Sequence, residues 1–212
     1  MKPYQTAFIE LAIRCQALLF GDFTLKSGRR SPYFFNAGRF QSGRDLAELG
    51  DCYAAAMKAH GLSCDVLFGP AYKGIPLAAV TAAAAYREYG DDIPYAFNRK
   101  EKKAHGEGGM FVGAPVEGEL LVVDDVMTAG TAIRELLSLL EGSKASVGAV
   151  LIGLDRCERV ENGQSATQVF EKDTGIKVKS IINIWDLLEF LRIEGNTQEV
   201  TKIEAELQEC GV

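Results

Sequence analysis

Residues 120–132 read Leu120-Leu121-Val122-Val123-Asp124-Asp125-Val126-Met127-Thr128-Ala129-Gly130-Thr131-Ala132. The apolar part has no polar alternation, so it suits a strand covered on both faces rather than one half exposed to water. A chain built around it must place helices on both sides of a sheet. The run ends in two adjacent acids and passes directly into small and hydroxylated residues. The strand therefore delivers both carboxylates to its carboxyl end, where open α/β sheets bind ligands.

The rest of the chain repeats this alternation. Apolar spacing from Phe8 through Leu11, Ala12, Cys15, Leu18 and Leu19 predicts a first helix ended by Gly21. Aromatic-rich stretches at Phe23–Leu25 and Tyr33–Phe35 predict a strand pair that can form a hood. Helices are expected from Leu46 to Met57 with a stop near Gly61, from Pro76 to Tyr89, from Ile133 to Leu140 with Gly142 as the end, and from Trp185 to Ile193. Strands are expected at Asp65–Phe68, Pro94–Phe97, Met110–Val112, Glu119–Val123, Val147–Leu154 and Ile176–Ile182. Residues 198–208 read as a solvated charged helix without identifiable chemistry. Strands alternating with helices imply a mainly parallel sheet between helix layers, an α/β fold in one domain over residues 1–212.

Composition narrows the function classes. With 212 residues and 47% hydrophobic content, the chain can bury a large core without disulfide staples. A net charge of -6 argues against a general coat for nucleic acid or anionic membranes. Any anionic ligand must meet a local basic cluster. The most apolar run, Leu77–Tyr86, is too short for a bilayer, which needs roughly 20 residues, and the start of the chain lacks the apolar stretch of a secretory leader. The five cysteines, Cys15, Cys52, Cys64, Cys157 and Cys210, are widely separated and read as reduced packing residues of a cytoplasmic protein. His60 lies at a helix end and reads as a solvated terminus. No His/Cys/Asp set has structural-zinc spacing.

Residues 124–132 combine cation-attracting and anion-attracting groups. Backbone N–H groups at the start of the next helix, with the Thr128 and Thr131 hydroxyls, can hold a phosphate. Asp124 and Asp125 can accept from ribose hydroxyls or hold Mg²⁺ through water. A sugar phosphate fits this juxtaposition. A plain strand end with Thr131 as helix cap is the bland alternative. A receiver domain also gathers aspartates at strand ends, but it leaves the Thr-Ala-Gly-Thr turn unexplained.

This segment resembles the phosphoribosyl-diphosphate motif of the type I phosphoribosyltransferases. Four further motifs, in order, make the chain similar through about residue 194 to the bacterial orotate phosphoribosyltransferases. They are Leu25-Lys26-Ser27-Gly28 with Ser31-Pro32-Tyr33-Phe34-Phe35-Asn36, Gly69-Pro70-Ala71-Tyr72-Lys73-Gly74, Asn98-Arg99-Lys100-Glu101-Lys102-Lys103-Ala104-His105-Gly106, and Leu154-Asp155-Arg156. The resemblance implies a type I phosphoribosyltransferase fold with a small hood drawn largely from the first ~40 residues. It also implies a Mg²⁺-dependent, reversible reaction in pyrimidine synthesis. Orotate and 5-phosphoribosyl 1-diphosphate give orotidine 5'-phosphate and diphosphate.

The residues suit that chemistry. Diphosphate leaves the anomeric carbon carrying several negative charges, and Arg99, Lys100, Lys102 and Lys103 outnumber Glu101 in the loop meant to receive it. His105 adds a donor or a proton, so Lys100, Lys103, His105, Asp124 and Asp125 are the expected catalytic groups. Gly106, Gly108 and Gly109 predict a loop that closes over substrate. The resemblance assigns diphosphate-sugar binding to Lys26, Tyr72, Lys73, Arg99, Lys100, Lys103, His105 and residues 124–132. It assigns orotate binding to Lys26, Phe34, Phe35, Thr128 and Arg156, whose guanidinium can pair bidentately with a carboxylate. It further implies a homodimer whose lysine-rich loop reaches the partner's site. A transferase for another base, or a regulator that keeps the sugar pocket without catalysis, would share much of this set. The regulator would need an added basic surface or helix-turn-helix, and neither is visible.

Overall fold

The computed structural model describes residues 1–25, 28–101, 109–159 and 163–209. Two sheets organise it. A six-stranded sheet has the order β5-β4-β3-β6-β7-β8, formed by Phe111–Gly113, Tyr95–Asn98, Val66–Gly69, Gly118–Val126, Ala145–Asp155 and Lys177–Asn183 respectively. Only β5, at the edge, is antiparallel to its neighbour. A separate antiparallel pair, β1 (Leu18–Thr24) and β2 (Arg30–Phe35), forms the small hood.

The apolar runs are buried on both faces, as their composition requires. Successive side chains of a strand point to opposite sides. Leu121 and Val123 join a core with Phe8, Leu49, Tyr53 and Leu187. Leu120 and Val122 join another with Ile133, Leu136 and Phe170. The first cluster draws on α1 (Pro3–Arg14), α2 (Gly43–His60), α3 (Gly74–Tyr89), α6 (Ile184–Ile193) and α7 (Thr197–Glu209), and the second on α4 (Thr131–Leu140) and α5 (Ala166–Thr174). Parallel β3, β6 and β7 therefore end on one edge of the sheet. The chain leaves β3 toward β4 on one side and later fills β6 on the other, so a topological switch point lies between β3 and β6.

The structure departs from the sequence expectations in four places. The first helix stops at Arg14 rather than continuing to Leu19. Gln16 takes a positive φ of 55°, the Ala17 N–H donates to the Ala12 carbonyl at 2.8 Å, and Leu18 opens β1. Leu18 mimics helical spacing because it enters the same core as Phe8 and Leu11. Second, α5 was not anticipated, although Ser165 caps it by accepting from the Gln168 N–H. Third, α7 is not simply solvated, since Val200, Ile203 and Leu207 are buried in the main core. Fourth, His60 is half-buried, with its Nε2 3.2 Å from the Ser180 carbonyl oxygen, and burial lowers its pKa. Among the described cysteines, all four are free thiols, and burial pushes Cys52 and Cys157 up to about 12. Cys210 lies outside the described residues. Among the described residues no helix is long and apolar enough to cross a membrane.

Candidate active site

The carboxyl ends of β3 and β6 meet at the switch point. From β6 come Asp124 and Asp125. From the turn after β3 comes Lys73, whose Nζ lies 2.6 Å from Asp125 Oδ2. Asp125 is buried, while half the Lys73 side chain is exposed. The Lys73 ammonium therefore compensates a buried carboxylate while still facing solvent, where it can add a bound anion to its contacts. Asp124 Oδ1 accepts from the Asp125 N–H at 2.9 Å. Burial first, and the neighbouring Asp125 charge second, push the Asp124 carboxyl up to about 7.

The turn that presents Lys73 is built by close backbone packing. A Cβ on Gly69 would stand 2.1 Å from the Gly74 carbonyl oxygen, and one on Gly74 would stand 2.9 Å from the Val123 carbonyl oxygen. Glycine at both positions lets the turn sit flush against β6. The peptide between Ala71 and Tyr72 is cis. Asn98, buried at the end of β4, accepts from the Ala71 N–H at 3.0 Å through its Oδ1. This ties the turn to the next strand.

After β6 the chain enters α4 through Gly130, which has a φ of 68°. A Cβ at Gly130 would lie 2.9 Å from the Phe170 ring, so the tight packing and the left-handed backbone both require glycine. Gly130, not Thr131, is the N-cap, and no side chain caps the helix. The first turn also contains no acid. Its first backbone N–H groups can therefore receive an anion, which the helix dipole favours there. Thr128, Ala129 and Thr131 are exposed around this end, Val126 and Ala132 are half-buried, and Met127 packs into the core.

The other expected residues distribute unevenly. Arg99 follows β4, and its Nη1 donates to the Gly109 carbonyl at 3.2 Å. Lys100 extends toward the outer side of α4, with Nζ 3.7 Å from Glu135 Oε2 and 6.0 Å from the centre of the Tyr72 ring. Tyr72 itself is exposed. Arg156 follows β7, next to β6. Its Nε pairs with Glu158, its Nη2 donates to Ser31 Oγ at 3.0 Å, and its guanidinium lies 4.3 Å from the centre of the Tyr33 ring. The hood thus approaches the sheet edge at Arg156. Phe34 is exposed and stacks on Phe23 with ring centres 5.6 Å apart, whereas the Phe35 side chain is buried in the core. Lys26, Lys102, Lys103, His105, Gly106 and Gly108 lie outside the described residues.

Sequence reasoning missed the residues that hold this edge together. The Tyr53 hydroxyl donates to the Asp124 carbonyl at 2.8 Å. Asp155 accepts from the Cys157 N–H and the Thr167 hydroxyl, fixing the chain on either side of Arg156. Tyr53 carries no sequence signal beyond helical apolar spacing. Asn98 and Asp155 stand inside quoted motifs, which give neither of them a role of its own.

Paired carboxylates and an uncapped helix at the switch point of a mostly parallel sheet define an α/β protein suited to a phosphorylated sugar. Residues 45–187 match the family described as phosphoribosyl transferase domain. The chain is 52% identical over 212 residues to the orotate phosphoribosyltransferase of Saccharophagus degradans, covering all of both chains. It is 52% identical over 213 residues to that of Vibrio cholerae, again over the full length of both. The crystal structure of the orotate phosphoribosyltransferase of Francisella tularensis superposes with a TM-score of 0.86 at 42% identity, covering 95% of this chain and 98% of that one. The chain belongs to the orotate phosphoribosyltransferase family.

Proposed function

We propose that this protein transfers the phosphoribosyl group of 5-phosphoribosyl 1-diphosphate to orotate, with Mg²⁺, as a homodimer with shared sites. The observation that carries this reading is the placement of Asp124, Asp125 and Lys73 at the switch point, directly before the uncapped start of α4. The turn at 128–132 takes the 5'-phosphate through its amides and the Thr128 and Thr131 hydroxyls. Asp124 and Asp125 accept from the ribose hydroxyls. Lys73 and Arg99, with Lys26 and Tyr72, face the diphosphate.

The bond from the anomeric carbon to diphosphate oxygen breaks as the bond to the orotate ring nitrogen forms, and positive charge develops on the sugar. Lys100, Lys103 and His105 receive the departing negative charge. Loss of one such preorganised donor costs on the order of a hundredfold in rate. Arg156 pairs with the orotate carboxylate, while the Phe34–Phe35 backbone and Thr128 border the ring.

Among the described residues, no group of three or more His, Cys, Asp or Glu is placed to cage a metal. Two carboxylates beside a diphosphate site suit Mg²⁺, which keeps waters and takes further ligands from substrate phosphates. Asp124 or Asp125 would hold it through water, and the ion would neutralise charge on the leaving diphosphate.

Purified protein mixed with orotate, the sugar diphosphate and Mg²⁺ should deplete orotate absorbance. Arg156→Ala should severely weaken orotate use. No depletion by folded protein contradicts the reading, and unchanged base affinity in Arg156→Ala points to a transferase for another base.

A further inference from the structure

The cluster around Arg156 contains a carboxylate from the C-terminal helix. Arg29 and Arg156 both reach the same oxygen of Glu158, Oε1. One carboxylate oxygen thus serves two guanidinium groups, which repel each other and compete for it. The same Arg29 nitrogen, Nη2, that reaches Glu158 also lies 4.0 Å from Oε1 of Glu206 on α7. The Glu206 and Arg156 side chains are each only 11% exposed. Two arginines and two glutamates leave the cluster formally neutral. Removing one buried charge would upset how the others are shared.

Glu206 also lies beside Ser31, the residue that accepts from Arg156 Nη2. Burial raises the Glu206 pKa, while Ser31, Arg156 and Arg29 draw it back down. Glu206 is therefore electrostatically joined to Arg156 without being its hydrogen-bond partner.

We propose that Glu206 is a positioning residue for the orotate site. By serving as a second counter-charge for Arg29, it leaves Glu158 to hold Arg156 Nε and fix the guanidinium plane over Tyr33. The outer guanidinium donors then remain aligned for a planar carboxylate. The proposal rests on the reading of Arg156 as the partner of the orotate carboxylate. Without the Glu206 charge, Arg29 takes the larger share of Glu158, and Arg156 loses its anchor.

Steady-state kinetics on the full-length protein test this, with melting temperatures reporting folding. Glu206→Gln should raise the orotate KM about tenfold while the KM for the sugar diphosphate and kcat stay within about twofold. Glu206→Asp, which keeps the charge, should recover part of the loss. The double variant Arg29→Gln/Glu206→Gln should return orotate KM toward wild type, because the competitor for Glu158 is gone.

An unchanged orotate KM in folded Glu206→Gln overturns the proposal. So does a parallel rise in both KM values, or a double variant worse than the single one. If Glu206→Gln does not fold, Glu206→Asp and the double variant decide by the same comparison. A wild-type protein that does not consume orotate defeats the functional reading itself. An active wild type with an indifferent Glu206→Gln defeats only the positioning role.

Discussion

Tyr53, fully buried on α2, donates its phenol to the backbone carbonyl of Asp124 at 2.8 Å. This bond satisfies a carbonyl at the end of β6, where the next residues turn toward α4. It anchors the acidic pair to the helix layer rather than to the sheet alone. Tyr53→Phe keeps the packing and removes the donor, so it should cost about 1–2 kcal/mol of stability. Urea unfolding measures that loss. Because the ring still supports β6, kcat should fall much less than in Asp125→Asn.

Gly130 is constrained by both backbone and space. Its φ of 68° disfavours a side chain, and a Cβ would press on the Phe170 ring at 2.9 Å. Gly130→Ala should therefore shift the start of α4 and weaken binding of the sugar diphosphate by tenfold or more, on the order of 1–2 kcal/mol. Calorimetric titration with the sugar diphosphate and Mg²⁺ checks this. Binding at wild-type affinity would separate the helix start from the phosphate.

Asp124 makes a pH prediction for the ligand-free protein. Its carboxyl rises from an ordinary value of 3.8 to about 7, mainly through burial. Between these values the folded protein retains a proton that the unfolded chain has released. The resulting stabilisation is complete below about pH 4 and is lost as pH rises through about 7. Asp124→Asn cannot lose that proton. Its urea midpoint should consequently fall less than the wild-type midpoint between acidic and neutral pH.

The shared-site homodimer is tested by mixing Arg156→Ala with Lys100→Ala, each inactive alone. In a mixed dimer one site combines both intact residues and the other combines both defects. Recovered activity after subunit exchange supports sharing across the boundary. Continued inactivity, with exchange verified, contradicts it.

The fold was legible where residue type and burial agree. Leu120–Val123 and Val147–Leu154 have no polar alternation because both faces of β6 and β7 meet helix layers. The acidic pair and the glycine turn were likewise readable, since both are local in sequence. Relationships that depend on distant residues were not. Leu18 looked helical because burial in a shared core imitates helical spacing. The charged residues of α7 concealed Val200, Ile203 and Leu207, which occupy one buried side of that helix. Neither Tyr53 nor Glu206 bears a local mark of its partner, because 71 residues separate Tyr53 from Asp124 and α7 meets Arg29 only through the tertiary fold.

The central claim is that the β6–α4 turn seats a phosphorylated pentose, and a crystal structure with the sugar diphosphate and Mg²⁺ tests it most directly. The 5'-phosphate should lie against the amides of residues 128–132, with ribose hydroxyls on Asp124 and Asp125. Sugar diphosphate bound elsewhere, with that turn empty at saturating ligand, would contradict the account.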